Sequence, residues 1–308
     1  MSTRLLRTAH QLSSRALHWL HRAHRLGHGA VPPDATVDPA APDTAYPPIG
    51  ESALAASLVL RDGVAGQRDL AAAGETLEFC WHQLQGGNLL YERQLRFPQA
   101  TDPLEAYAPF ARSGYRHREL DGLLRSLAAL RAAEAVELLP HHRLAVANAR
   151  RITGLVHRPP DWAALAAATL LGGTPEPWTV DWSAGYRLGQ SVFHLTDWGA
   201  RPDDLPERLR GYLRAWLPVW VDVWLETGQW DLVATLLAAD SCTGAPVCGP
   251  EPWERLCAAQ HPSGLTPRDA EPVSPDPSRA FRDHERTAAV TVVAGTLALA
   301  RLLTSPPV

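Results

Sequence analysis

An all-α fold follows from three features of the chain. Apolar residues recur at helical spacing along most of its length, strictly alternating strand-like runs are almost absent, and Gly/Pro/Asp clusters cut the periodic stretches into helix-sized pieces. The pattern predicts helices over 3–28, 51–72, 75–92, 103–113, 116–137, 141–157, 161–171, 183–198, 203–227, 229–240, 251–260 and 280–303, within one domain spanning 1–308. Short connections suggest antiparallel helical hairpins. Closed on themselves these make an (α/α)-toroid with a central cavity; an α-solenoid or an irregular bundle are the alternatives.

In the first helix Leu5, Ala9, Leu12, Ala16, Trp19, Ala23 and Leu26 are spaced by four and three, a clean amphipathic stripe. The first 33 residues hold five Arg, five His and no acid, but lack the apolar core of a secretory signal. They read as the opening helix of the fold or as a docking helix for a protein or peptide partner. His21, His24 and His28 share one edge, a spacing that captures metals adventitiously. Residues 29–50 are rich in Pro, Ala and Asp and read as an irregular connection.

Helix 75–92 carries Glu75, Glu78, His82 and Gln85 opposite Leu77, Trp81 and Leu84. Glu78 and His82 are a candidate divalent-metal pair, or simply the solvated face of a surface helix. His117, at a helix start, is a similar candidate. Asp161, Ser183 and the pair Asp203-Asp204 stand where helix caps belong. Tyr212, Trp216, Trp220 and Trp224 then recur every four residues along a helix kinked at Pro218. They form either a core ridge or an aromatic wall for an apolar ligand, with Trp216 and Trp220 in contact with it and Asp222 as a second buried acid. Residues 262–278 hold five prolines and read as another irregular connection.

Composition narrows the function classes. The 308 residues are 45% hydrophobic and 20% charged, as in an ordinary soluble domain. A net charge of −4 argues against general nucleic-acid binding. All 29 basic residues are arginine, and Ile and Asn occur twice each, a bias toward GC-rich codons that points to a high-GC bacterium such as an actinomycete. No run of 18 apolar residues predicts a membrane span, and Thr287–Leu303 reads as a buried core helix. The four cysteines form no metal signature; they read as free thiols in a cytoplasmic protein, with Cys242 and Cys248 the one pair close enough in sequence to suggest a disulfide.

The strongest site candidate is Gly185–Gly199, GYRLGQSVFHLTDWG. At 3.6 residues per turn Tyr186, Gln190, Phe193 and Asp197 share a stripe, with His194 on its shoulder. A titratable His–Asp pair among aromatic residues suggests general acid–base catalysis: a buried Asp197 would hold its proton near neutral pH, while Tyr186, Gln190 and Phe193 orient the substrate. In the last helix His284 heads a stripe of small or hydroxylated residues that includes Thr287 and Thr291, a face able to line a cavity. There is no phosphate loop, dinucleotide fingerprint, Gly-x-Ser-x-Gly elbow or His-Glu-x-x-His.

The expected function is therefore an acid–base enzyme needing no cofactor, of cyclase, isomerase or dehydratase type, acting on a largely apolar small molecule in bacterial specialised metabolism. Asp197, His194 and His284 would carry proton transfer. A non-catalytic helical scaffold is the alternative, and a metal enzyme using Glu78, His82 and His284 the third reading. The strings SVFHLTDWGARP and QWDLVATLLAA, with the late His-containing helix, resemble a family of uncharacterised actinobacterial all-helical proteins; the shared element is aromatic-x-Leu-Thr-Asp-aromatic-Gly at 193–199. The fold resembles the helical toroids of terpene cyclases and lanthionine synthetases, although their metal-binding cysteines and Asp-rich motifs are not in this sequence.

Overall fold

The computed structural model describes residues 2–31 and 46–304. The helices are α1 (Ser2–Arg25), α2 (Tyr46–Asp62), α3 (Gln67–Gln83), α4 (Asn88–Arg96), α5 (Asp102–Arg112), α6 (Arg118–Ala128), α7 (Ala132–Ala135), α8 (Pro140–Thr153), α9 (Trp162–Ala167) and α10 (Leu170–Gly173). They continue with α11 (Trp182–Leu195), α12 (Glu207–Glu226), α13 (Trp230–Cys242), α14 (Pro250–Ala259) and α15 (Pro277–Thr304). No strand occurs among the described residues.

Several expected boundaries move, and glycine explains two of the shifts. The helix expected over 51–72 is two, because Gly63 at φ +62° and Gly66 separate α2 from α3. The helix expected over 75–92 breaks at Gly86 and Gly87; at Gly87 (φ +97°) a Cβ would fall 2.9 Å from the Trp81 ring. The helix expected over 116–137 ends at Ala128 and resumes for one turn only. Of the connection expected over 29–50, residues 46–50 belong to α2, and 32–45 lie outside the described residues. Residues 263–276 are irregular, as their prolines require.

Caps behave similarly. Asp161 accepts from the Ala164 N–H at 2.9 Å, whereas at α11 Asp181 rather than Ser183 is the cap, accepting from Ala184 N–H at 2.7 Å. Asp203 and Asp204 sit in a separate 3₁₀ turn, and α12 starts only after Pro206.

The contacts do not describe a ring of hairpins around an open axis. In α13 every residue from Leu232 to Cys242 is buried, and α15 is buried over most of its length. These two helices pack on each other and fill the middle, giving an irregular bundle: α1 and α2 cover α15 on one side, and α11, α12 and α14 cover α13. Close crossing of α1 and α15 depends on Gly295, where a Cβ would meet the Ala9 carbonyl oxygen at 2.6 Å. The apolar stripe of α1 is thus spent inside the molecule, with Leu26 left outside. By length and composition α15 passes for a membrane span, yet 67% of its apolar window is buried, as a core helix requires. All four cysteines are free, so no Cys242–Cys248 disulfide forms.

Candidate functional site

α11 ends in a strained corner. Asp197, Trp198 and Gly199 are consecutive left-handed residues at φ +46°, +54° and +77°. For the two that are not glycine this costs about 1–2 kcal/mol each, so neighbours must hold the corner. Trp198 folds back to stack on Phe193 with ring centroids 4.5 Å apart, and the Thr196 hydroxyl accepts from the Gly199 N–H at 3.1 Å.

Four arginines complete it. Arg61 of α2 donates to the carbonyls of Asp197 (3.0 Å) and Trp198 (2.9 Å), and Arg151 of α8 to that of His194 (3.0 Å). Arg301 of α15 donates to the Gly199 carbonyl at 3.1 Å. Arg112, the last residue of α5, donates to the Asp197 carboxylate at 2.6 Å. Cations are what the negative end of a helix favours, and Asp197 is tolerated there because it neutralises Arg112. The carboxylate expected to keep its proton is thus the counter-ion of a buried guanidinium.

Beside this corner lies a cleft of about 510 Å³ between α2, α4, α5, α8 and α11, the His194 cleft. Its floor is Leu54, Leu90, Ala106, Ala149, Ile152 and Trp198; its polar lining includes Glu51, Glu105, Arg112, Asn148, Gln190 and His194. Of the expected site residues it unites Gln190 and His194, while Asp197 reaches it only through Arg112.

His194 Nε2 lies 3.1 Å from Gln190 Oε1, and its Nδ1 is buried without a partner, as is Arg112 Nη1. With Gln190 Oε1 accepting, Nε2 carries the hydrogen and Nδ1 is a vacant acceptor. Burial first, then the nearby positive groups His142, His141, Arg151 and Arg112, drive the imidazole down to about 3. His194 is uncharged at neutral pH.

In this cleft a carboxyl displaced toward neutrality is Glu51. Desolvation raises it from its ordinary value, opposed by Arg286 at 3.9 Å, while 37% of its side chain stays open to solvent. Behind it stands buried Glu285, whose Oε2 has no partner; burial, then the charge of Glu51, push it up to about 8. On the opposite wall Glu105 Oε1 lies 2.7 Å from His142 Nε2, and that hydrogen bond, against burial, raises His142. Sequence reasoning missed Glu51, Glu105, His142 and the four arginines. The one local signal was a charged residue at each end of apolar segments, Glu51 and Arg61 on α2 and Arg112 on α5.

The remaining candidates disperse. The Tyr186 hydroxyl donates to Asp231 in a second cleft, and burial lifts the phenol well above its ordinary range. Phe193 is core. Trp220 donates to the Pro177 carbonyl at 3.0 Å, and Trp216 is a half-buried part of the same core ridge. Asp222 is exposed, so it is no buried acid: the 3.6-residue period turns it away from the ridge. His284 Nδ1 accepts from the Arg268 N–H at 3.1 Å and anchors the proline-rich connection. Thr287 and Thr291 are buried in the α15 packing, the Thr291 hydroxyl donating to the Thr287 carbonyl at 2.7 Å, and neither lines the His194 cleft.

Glu78 and His82 are exposed and 3.8 Å apart. Among the described residues no three His, Cys, Asp or Glu side chains converge as a metal site would require. His21 pairs with Glu75 at 2.8 Å, while His24 is buried against Ser52 at 2.9 Å, so the N-terminal histidines serve separate helix contacts. His117 caps α6, accepting from the Leu120 N–H at 3.0 Å.

A family profile described as a domain of unknown function, DUF6895, matches residues 13–296. The chain belongs to that family. No curated protein and no solved structure matches it. The DUF6895 match takes in the α11 corner and every lining residue of the His194 cleft.

Proposed function

We propose that this DUF6895 protein is an acid–base enzyme acting on a small, largely apolar molecule bound in the His194 cleft. The observation that carries this reading is His194 itself: a neutral imidazole whose Nδ1 acceptor has no partner, in the wall of a 510 Å³ cleft beside the Arg112 guanidinium. Apolar side chains would hold the body of the substrate, and Arg112 and His194 would fix its polar end. Glu51 takes the role first expected of Asp197, donating a proton while His194 accepts one from substrate, a pairing suited to cyclisation, isomerisation or dehydration. His284 has no part in it.

The family's signature, on this reading, is the aromatic-x-Leu-Thr-Asp-aromatic-Gly corner, which positions His194 by holding the end of α11. The four free thiols suit a reducing cytoplasm, and the arginine-only basic content suits an actinobacterial biosynthetic setting. A scaffold that docks through α1 is disfavoured, because the apolar stripe of that helix is already covered.

Native mass spectrometry of the full chain as purified tests the proposal. One small organic molecule per chain is expected, and it should be lost when Ala106→Trp fills the cleft. Returned to fresh protein, the molecule should isomerise at constant mass or lose water, and Glu51→Gln and His194→Gln should abolish this. Recovery of the unchanged molecule from folded native protein would make the chain a carrier, not an enzyme.

A further inference from the structure

A second cleft, of about 520 Å³, opens where the first turns of α11 and α13 meet α15, and it gathers positive charge. Arg187, Arg268 and Arg286 line it against the single carboxylate of Asp231, leaving a lining charge of +2. We propose that this cleft binds a phosphate-bearing small molecule with a flat ring, the phosphate held by the three arginines and the ring laid on Trp182.

Asp231 is already engaged. It accepts the Tyr186 hydroxyl and the Leu232 N–H, the latter at 2.7 Å, so its charge offsets one arginine of the lining while its oxygens are already hydrogen-bonded. Arg286 lies over the Tyr186 ring at 5.3 Å and reaches Glu51 only at 3.9 Å. Arg268 uses one edge of its fork, Nε to Asp269 at 2.9 Å, and keeps its other donors. Arg187 is exposed and in no ion pair among the described residues. At the other end of α11 the arginines bond chiefly to chain carbonyls and to carboxylates that include Asp197 and Asp204; here three of them line a void with one carboxylate.

A lining of +2 suits phosphate, which carries nearly two negative charges at neutral pH as a monoester and more as a diphosphate, better than a monocarboxylate. Guanidinium forks suit phosphate oxygens; the ends of α11 and α13 are already met by Asp181 and Asp231, so the arginines supply the field. Trp182 is 62% exposed at the rim and lies nearly perpendicular to Tyr186, centroids 6.2 Å apart, so most of its indole is open to a ligand.

Calorimetric titration of the full chain with ADP, inorganic pyrophosphate and adenosine, at about 0.1 M salt to screen diffuse attraction, tests the proposal. ADP should bind one to one, pyrophosphate more weakly and adenosine weakest. Arg286→Gln and Arg187→Gln should each weaken ADP about tenfold, as the loss of a charge-assisted contact does, with unchanged thermal unfolding. Trp182→Ala should weaken ADP and leave pyrophosphate unaffected. Absence of saturable ADP binding, or ADP binding indifferent to both arginine variants, overturns the site. Pyrophosphate as tight as ADP overturns the ring contact, and adenosine as tight as ADP overturns the phosphate contact.

Discussion

The two ends of α11 both attract arginine, and for opposite reasons. At its C-terminal end Arg61, Arg112, Arg151 and Arg301 meet the negative end of the helix and the Asp197 carboxylate. At its N-terminal end Arg187, Arg268 and Arg286 surround a void beside a positive helix end, with Asp231 otherwise engaged. The first set mostly holds a strained chain, with Arg112 Nη1 left without a partner; in the second Arg268 pairs with Asp269, while Arg187 is in no ion pair among the described residues. A carboxylate or guanidinium that looks functional in a sequence is structural when its charge is already answered, and the unanswered groups are the better guides to chemistry.

Breaking the consumed end should have the largest effect. Arg112→Leu strands the Asp197 carboxylate, and urea unfolding should register a loss of about 3 kcal/mol. Asp197→Asn keeps a hydrogen-bonding side chain that tolerates the left-handed region, and should lose about 1 kcal/mol. It should also keep its bound small molecule, whereas a catalytic Asp197 would make that substitution the more damaging of the two to function.

The carboxyl behind Glu51 sharpens the contrast through pH. Glu285 is raised from 4.5 to about 8 in the folded chain. Above 4.5 the unfolded chain releases this proton first, so the stability tied to the protonated group, complete below 4.5, is lost as pH rises toward 8. Glu285→Gln should therefore unfold like the native chain near pH 4 and be the more stable of the two near pH 9. Equal stability at both pH values would mean that this carboxyl is solvated. The smallest effect is expected at Asp222, outside both ends: Asp222→Ala should change stability by less than about 0.5 kcal/mol.

Much of the fold was legible because it is written locally. Helical spacing predicted the all-α class, and the stripe of α1 and the Asp161 cap are where the pattern puts them. Breaks at Gly63 and Gly86-Gly87 were harder, since glycine is tolerated inside helices and only a left-handed φ decides the matter. The toroid expectation rested on hairpin alternation alone. It could not show that α13 and α15, buried over most of their length, would occupy the centre.

The site was half legible. Gln190 and His194 sit one turn apart on one helix, so periodicity placed them together. Glu51, Glu105 and Arg112 reach the same cleft from other helices, and Arg112 meets Asp197 across 85 positions of sequence. Asp197 was misread for the same reason: its environment is set by a residue that no local pattern connects to it.

The ionisation of His194 tests the central claim most directly, and imidazole nitrogen NMR on the full chain reads it. The ring is lowered from 6.5 to about 3, so it should remain neutral, with hydrogen on Nε2, down to about pH 4. Between those values the unfolded chain takes up the proton first, and the stability that the neutral ring contributes is lost as pH falls. Adding the molecule that co-purifies should move the Nδ1 resonance as that atom gains a hydrogen bond. A ring that titrates near 6.5, with an Nδ1 signal indifferent to the bound molecule, would contradict the account: His194 would be a solvated side chain and the cleft beside it no site.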